Sequence, residues 1–531
     1  MRPACYALKG KTMLDPSTPI LIGCAQHTVR DAAPDALLSP QDLLAHVAQK
    51  ALVDAGGGAL DGQLAQTIAH KIDSLAVIRS FADSAPQFAS PHGGCSHYPL
   101  AIARRIGAHP TRCFYPHLGG NSPQMMVSLL AEDIRAGRSR MALLVGGEAI
   151  RSASLATKAG QRLDWSEDHD GPLITPGDPR PGISVHELRH GLGNPSDCYP
   201  LFETALAHHY QRPMSRHRAH IADLFSRMSA VAAANPHAAT PIHHRPETIM
   251  EASDDNRMIA WPYTKFMNAN LFVDQAAALV LTSVHEARAC GVPPDQWVFL
   301  AGAADLDDAW LMSERPSFHR SEAIPRAAHA AMDQAGIGGN DLDFIDLYSC
   351  FPVAVEIAAD ALGVAHDDPR GLSITGGLPY FGGAGNAYSL FAIAEMVARL
   401  RGRDRGFGLV TANGWYLTKH SMGVYSAAPP KTLWQKRDRP DLQAEIDAIA
   451  APPLIIEPQG RGRIEATTVR FSRKGPEQGI LFGRLPSGGR FLANMAGDDQ
   501  AALDALMGED AIGLEIDVRM DEKGRGLAHL I

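Results

Sequence analysis

The chain alternates short, continuous apolar runs with stretches whose apolar residues recur at i, i+3 and i+4. These are the patterns of buried strands and of the helices that cover them. In the first half PILIGCAQ (Pro19 to Gln26) leads to SPQDLLAHVAQKALVDAG, then IDSLAVI, PLAIARRIG and RCFYPHL. In the second half WVFLAGA (Trp297 to Ala303) leads to SEAIPRAAHAAMDQAG, FIDLYSC, VAVEIAADALG and LSITGG. Both orders alternate β and α, so each half is expected to be a mostly parallel sheet under helices, and the two together a five-layered α/β sandwich.

The halves also repeat. GGNSPQMMVSLLAEDIRAGRSRMALLVGGEA from Gly119 and AGNAYSLFAIAEMVARLRGRDRGFGLVTANG from Ala384 share a Gly-rich turn, an asparagine, an apolar helix, a Gly/Arg break and a buried strand. In each copy 24 residues separate the asparagine (Asn121, Asn386) from the strand valine (Val145, Val410). Shared length, turn, break and strand together indicate duplication. The expected organisation is a first half over 19–285, with an irregular His-, Pro- and Gly-rich insertion at about 152–270, and a second half over 295–425. The insertion shows one good helix, near His217 to Ala234, and an insertion of this kind most often covers a site. A linker over 426–459 precedes short strands over 460–531, which read as a small β-rich, OB-like domain.

Composition narrows the function classes. No apolar run reaches the ~18 to 20 residues that span a bilayer, and the start around Arg2, Lys9 and Lys11 lacks a secretory pattern, so a cytoplasmic protein with no membrane partner is expected. A net charge of -9 with scattered basic residues argues against nucleic acid. Seven cysteines (Cys5, Cys24, Cys95, Cys113, Cys198, Cys290, Cys350) form no CxxC pair, and His208, His209, His217, His220, His237, His243 and His244 show no metal spacing. Neither a disulfide framework nor a metal is expected.

LLVGGEA after a Gly-rich helix start, SAVAAANPHA, FVDQAAALVLTS, and FIDLYSCFPVAVEIAADALG followed by GGLPYFGGAGN resemble the thiolase superfamily over residues 19–425, nearest its sterol-carrier-protein-type branch. The β-rich tail resembles the extra domain of thiolase-like protein type 1, a group labelled acetyl-CoA acetyltransferase. The resemblance implies a duplicated, five-layered αβαβα thiolase fold. It also implies coenzyme A or an acyl-CoA as substrate, bound between insertion and sheet edge, and leaves the oligomeric state open between a homodimer that pairs its sheets and a chain whose appended domain blocks that face or replaces the partner.

Ordinary thiolases set a nucleophilic cysteine at the start of the first repeat helix, where free amides and the helix dipole lower its pKa. Aligned on Gln124, that position is Gly119, with no thiol within five residues. The amides of Gly120 and Asn121 remain as donors to a carbonyl oxygen, and Ser122 is read as a helix cap before a nucleophile. The family's polar pair before a Phe is replaced by Tyr348-Ser349-Cys350-Phe351, which makes Tyr348 the candidate general acid/base and Cys350 a candidate displaced nucleophile. The Gly-His-Pro turn has become Gly382-Gly383-Ala384, with Gly383 in place of the oxyanion histidine, and the Cys-x-Gly loop reads Ala412-Asn413-Gly414. TKHSMGVYS after it, read as a loop, offers His420 as replacement base. Lys265 in PYTKFMNAN and Lys419 are the candidates for the phosphates of CoA. Asn268 and Asn270 are read as ordering the loop, and Gly376, Gly377, Gly382 and Gly383 as permitting close backbone approach. For each residue the alternative is structural: a satisfied buried tyrosine, a core thiol, a capping histidine, a turn that only keeps the fold's geometry.

The leading expectation is a CoA-dependent acyltransferase that makes or cleaves a carbon–carbon bond in a β-keto acyl compound without the usual cysteine. The alternatives are a non-catalytic acyl-CoA binding protein and a retro-aldol lyase acting on a β-hydroxyacyl-CoA.

Overall fold

The computed structural model describes residues 14–31, 37–57, 62–432 and 437–531; Cys5 and the basic residues of the first thirteen lie outside them. The first half supplies strands β1 (Pro19–Thr28), β2 (Ser74–Val77), β3 (Arg112–Phe114) and β4 (Met141–Ala149). The insertion adds β5 (Met258–Ala260) and β6 (Tyr263–Thr264), and β7 (Asp274–Ser283) returns to the first half. The second half holds β8 (Val298–Asp307), β9 (Phe344–Asp346), β10 (Phe407–Gly414) and β11 (Lys419–Ser426). The tail contributes β12 (Gly460–Ser472), β13 (Gly475–Arg484), β14 (Arg490–Met495), β15 (Glu515–Met520) and β16 (Gly526–Leu530).

The first eleven strands, less β5 and β6, form one continuous sheet in the order β3-β2-β4-β7-β1-β8-β11-β10-β9. It is joined at its middle by a short pairing of Ile20 with Phe299 and Leu21 with Val298. The duplication is visible in the topology. Opening strand, return strand and repeat strand lie side by side as β1-β7-β4 in one half and β8-β11-β10 in the other, with β2 and β9 next outward. The expectation of a mostly parallel sheet is corrected. Only β2–β3, β2–β4 and β9–β10 are parallel, because β7 and β11 both come back antiparallel to the strands beside them. For β11 the cause is local: four residues separate it from β10, too few for a parallel crossover.

The repeat helices Ser122–Arg135 and Tyr388–Leu400 lie between the two halves of the sheet and touch strands of both. A helix so placed must be apolar on all sides, which is why Tyr388–Leu400 reads YSLFAIAEMVARL. Helices Pro40–Ala55 and Ala323–Ala335 cover the outer faces of the first and second half, giving five layers in all. The insertion carries, besides the expected helix (Met214–Ala234), a second long helix, Pro195–His209, whose Pro200 hid it from pattern reading.

In the tail β12, β13, β14, β16 and β15 close into a five-stranded barrel, since β12 pairs with both β13 and β15. Closure leaves no free edge among these five. Helix Gln500–Leu506 links the third strand to the fourth. The barrel is bound to the insertion, not tethered beside it. Arg470 pairs with Asp197 at 3.0 Å, Thr467 and Thr204 exchange hydrogen bonds at 2.9 and 3.2 Å, and Trp261 donates its amide to Val469 at 2.8 Å. The Arg490 guanidinium is fully buried: it reaches Glu465 at 2.7 Å within the barrel and donates to the Ser313 carbonyl of the second half at 3.1 Å. No described helix is long and apolar enough to cross a membrane.

Candidate active site

The turn at the start of helix Ser122–Arg135 sits against the hairpin of β10 and β11, in which Gly414 pairs with Lys419 and Asn413 with His420. Two glycines let the elements close together. A Cβ on Gly119 would lie 2.9 Å from the Lys419 Nζ, and one on Gly120 would lie 2.2 Å from the Tyr348 hydroxyl and 2.6 Å from the Asn413 carbonyl oxygen. The amine of Lys419 and the phenol of Tyr348 therefore meet neighbouring residues of one turn. Ser389, at the start of the second repeat helix, donates to the Gly120 carbonyl at 3.1 Å, while the amides of Gly120 and Asn121 donate to no protein acceptor among the described residues.

Lys419 is 5% exposed, and its ammonium donates to the Leu118 carbonyl. Burial brings its pKa down from 10.5 to about 8, against the pull of Asp307 and Asp178. The lysine read from sequence as a phosphate contact is thus an interior amine near neutrality. Nothing in its local sequence signals this. Lys265 lies on the exposed surface of the insertion with its ammonium 3.1 Å from the Asp255 carbonyl.

Tyr348 is buried, and burial together with nearby Cys350 raises its hydroxyl well above 10, so the phenol keeps its proton and acts as a donor. The Cys350 thiol is pushed up to about 12 by burial and receives a contact from Asn413 Nδ2 at 3.9 Å, the surroundings of a core thiol and not of a thiolate. Asn413 also donates to the Tyr199 hydroxyl at 2.9 Å, which in turn donates to the Trp415 carbonyl at 3.0 Å. The buried Oδ1 atoms of Asn121 and Asn413 accept no hydrogen bond among the described residues.

TKHSMGVYS is not a loop: Lys419–Ser426 is β11, paired on both sides. His420 lies 2% exposed on it, its Nε2 3.2 Å from Asp308 Oδ2 and 2.9 Å from the Leu417 carbonyl oxygen. Burial would raise the Asp308 carboxyl, but Arg315, His420 and Ser321 outweigh it and hold the group at about 2. Asp308 also accepts the amides of Glu322 and Ala323 at 2.9 and 3.2 Å, at the start of helix Ala323–Ala335. His420 nevertheless borders, with Tyr348 and Asn413, a cavity of about 10 Å³, room for roughly one water.

Two expectations are corrected here. The Gly383 amide donates to the Asn270 carbonyl at 2.8 Å, so this N–H is not free to bind an oxyanion; Asn270 and Leu378 complete the same clasp at 3.1 Å. Ser122 does not cap its helix: Asn121 takes the cap position without a side-chain bond, and the Ser122 hydroxyl is buried and unpartnered. Over the outer edge of the site runs segment 177–184. Gly177 packs on His117 and Met125, and Gly182 on the ring of Trp415, while Trp310 donates to the Pro181 carbonyl at 2.9 Å. Trp415 and Leu417, in the hairpin turn, take left-handed backbone angles (φ 55° and 57°), strain of the kind that accumulates at working sites.

A family model described as the thiolase-like protein type 1 additional C-terminal domain matches residues 441–523. The crystal structure of a monomeric SCP2-thiolase like protein type 1 from Mycobacterium smegmatis is 35% identical, covers 98% of this chain and all of its own, and superposes with a TM-score of 0.81. The acetyl-CoA acetyltransferase of Methanothermobacter thermautotrophicus is 24% identical over 286 residues, 51% of this chain and 72% of that protein. The dimeric peroxisomal thiolase of Saccharomyces cerevisiae, 11% identical over 77% of this chain and 97% of its own with a TM-score of 0.54, shares the fold. With its duplicated halves, its five layers and its closed C-terminal barrel, the chain belongs to the SCP2-thiolase-like protein type 1 family of the thiolase superfamily.

Proposed function

We propose that this chain is a CoA-dependent acyltransferase that cleaves or forms a carbon–carbon bond in a β-keto acyl compound without an acyl-cysteine intermediate. The observation that carries the reading is the buried Lys419 amine, with a pKa lowered to about 8, at the turn where the superfamily holds its nucleophile, with the Tyr348 phenol against the next residue of that turn. In the cleavage direction Lys419 takes the proton of the CoA thiol as sulfur attacks the β-carbonyl. The oxyanion that forms is met by the amides of Gly120 and Asn121 and by the Tyr348 hydroxyl. The carbonyl re-forms as the carbon–carbon bond breaks, and the departing enolate takes the proton back from Lys419. We place the base at Lys419, whose amine lies at the turn, while the His420 Nε2 is held by Asp308 and Leu417. CoA fits only with movement: the inner cavity holds about one water, so the acyl end enters when segment 177–184 shifts off Trp415.

We also read the chain as a monomer with an OB-like barrel, in place of a homodimer. Sheet pairing across a two-fold needs an open edge strand. Here the outer edge of β3 is occupied by the chain itself, with Tyr115 donating to Ile174 at 2.9 Å and Ile174 to Cys113 at 2.8 Å. The Mycobacterium smegmatis relative is described as monomeric.

The test is product analysis by mass spectrometry of the purified protein with CoA and a panel of β-ketoacyl-CoA esters and β-keto acids, beside Tyr348→Phe and Lys419→Met. Acyl-CoA products that disappear in both variants, with CoA affinity retained, are expected. Binding without product across the panel would overturn catalysis in favour of an acyl-CoA binding protein. Products that survive Lys419→Met would overturn the assignment of the base.

A further inference from the structure

Away from this site, the insertion helix Met214–Ala234 packs on helix Pro352–Leu362 of the second half. His220 on the first, Glu356 on the second and His366 in the loop after it converge there. His220 Nε2 and His366 Nδ1 are 2.9 Å apart, and Glu356 Oε1 is 3.5 Å from the former and 3.7 Å from the latter. The point equidistant from these three atoms lies about 2.0 Å from each, the bond length of zinc to imidazole nitrogen and carboxylate oxygen. The 2.9 Å separation is also that of an imidazole–imidazole hydrogen bond, so a cation at the centre would take the place of the proton shared by His220 and His366.

The surroundings fit a cation. Glu356 is fully buried beside the Glu203 carboxyl and turns its Oε1 toward the two imidazoles, and a cation at that oxygen would offset both the burial and the neighbouring negative charge. The Nε2 of His366 lies 3.1 Å from Asp360 Oδ1, so a neutral ring donates its proton there and turns its Nδ1 lone pair to the centre, where His220 Nε2 stands within hydrogen-bond reach. A carboxylate behind a ligating histidine is the usual support in metal sites. Asp360 is itself held by the Tyr210 hydroxyl at 2.5 Å.

The neighbouring charges are accounted for. His217 is spent between Glu203 at 2.5 Å and Arg212 at 3.0 Å, and stands 3.9 Å from Glu356 Oε2. Arg212 also approaches Glu356 Oε1, at 3.9 Å, one guanidinium against the three carboxylates of Glu203, Glu356 and Asp360. The side chains of His220 and His366 are 31% and 14% exposed, which gives an ion, and a water as fourth ligand, a path from solvent.

We propose that His220, Glu356 and His366 form a binding site for one divalent transition cation that takes nitrogen and oxygen ligands, zinc first among them, which staples the insertion to the second half. The histidine-rich segment lacks a metal spacing because it supplies one ligand; the other two come from the opposite half of the chain.

The test uses the full chain, stripped with a chelator and titrated with zinc chloride by calorimetry, and separately loaded with cobalt(II) for visible spectroscopy. One equivalent of zinc is expected to bind and to raise the melting temperature. His366→Ala and Glu356→Gln should weaken binding by about 100-fold or more, with His237→Ala binding as the parent does. Absence of a saturable single site, or equal affinity in His366→Ala, overturns the proposal. Should the variants fail to fold, the cobalt spectrum of the parent decides. Bands of a four- or five-coordinate nitrogen/oxygen site support the proposal, and a thiolate charge-transfer band or a six-coordinate aquo-type spectrum overturns it.

Discussion

Replacing Lys419 with Met separates a poised amine from an ordinary structural lysine, because the two make opposite forecasts for stability. The variant keeps the length of the stem and removes the charge. Lowering the pKa from 10.5 to about 8 by burial means that at pH 7 the folded protein holds the ammonium at a cost of about 3 kcal/mol relative to the unfolded chain. The thioether cannot donate to the Leu118 carbonyl, and losing that bond costs about 1 kcal/mol. Lys419→Met should therefore be more stable than the parent by about 2 kcal/mol at pH 7 while losing turnover, the usual exchange at a working site. The sign with pH follows from proton binding. The folded pKa lies below the unfolded one, so between about 8 and 10.5 the unfolded chain binds more protons, and the parent gains stability as pH rises through that window. The advantage of the variant should shrink from pH 8 upward and vanish near pH 10. Urea unfolding of parent and variant at pH 7 and pH 10, followed by circular dichroism, reads the difference. A variant destabilised equally at both pH values would show a charged, well-paired lysine and refute the poised-amine argument.

The same amine sets the pH dependence of the reaction: only its neutral form accepts a proton, so the rate of CoA-dependent cleavage should rise with pH to a plateau above about 8, and a pH–rate profile already flat from pH 6 would exclude Lys419 as base. Gly120→Ala puts a methyl carbon 2.2 Å from the Tyr348 hydroxyl and 2.6 Å from the Asn413 carbonyl oxygen; overpacking of this kind should cost roughly 1–3 kcal/mol in urea unfolding and abolish product formation, and an active, equally stable variant would place the phenol elsewhere. Arg490→Met leaves Glu465 with one fewer partner and frees the Ser313 carbonyl; a loss of about 3 kcal/mol is expected, seen as earlier proteolysis between the second half and the barrel, and an unchanged cleavage rate would mean that the barrel is held by its other contacts.

Duplication, five layers and a β-rich tail were legible in the sequence because each is written in local periodicity: a 24-residue spacing kept twice, apolar strands, alternating short strands after Gly460. What escaped was whatever depends on pairing across the chain. The hairpin of β10 and β11 opens on polar residues, so TKHSMGVYS reads as a loop until Gly414 is set opposite Lys419. Helix Pro195–His209 starts on a proline, as helices readily do, but carries another inside, a stop signal by pattern that tertiary burial on both sides overrides. The His220, Glu356 and His366 cluster joins residues up to 146 positions apart, beyond any motif.

The turn at Gly119 carries more than a lost cysteine. An empty position at Gly119 suggests a turn stripped of chemistry. In the folded chain that emptiness is what admits Lys419: a side chain at residue 119 would begin 2.9 Å from the lysine Nζ and 2.4 Å from the Asn121 Oδ1. A nucleophile on the helix and the amine from the hairpin thus cannot occupy the turn together without displacement, and the absence of one is the steric condition for the other. The replacement also changes the electrostatics. A thiolate at a helix start is stabilised by the dipole, whereas an ammonium placed there is opposed by it, and burial adds to the opposition. Both favour the neutral amine, the form that accepts a proton, so in the proposed mechanism the turn that would activate a thiol tunes a base instead.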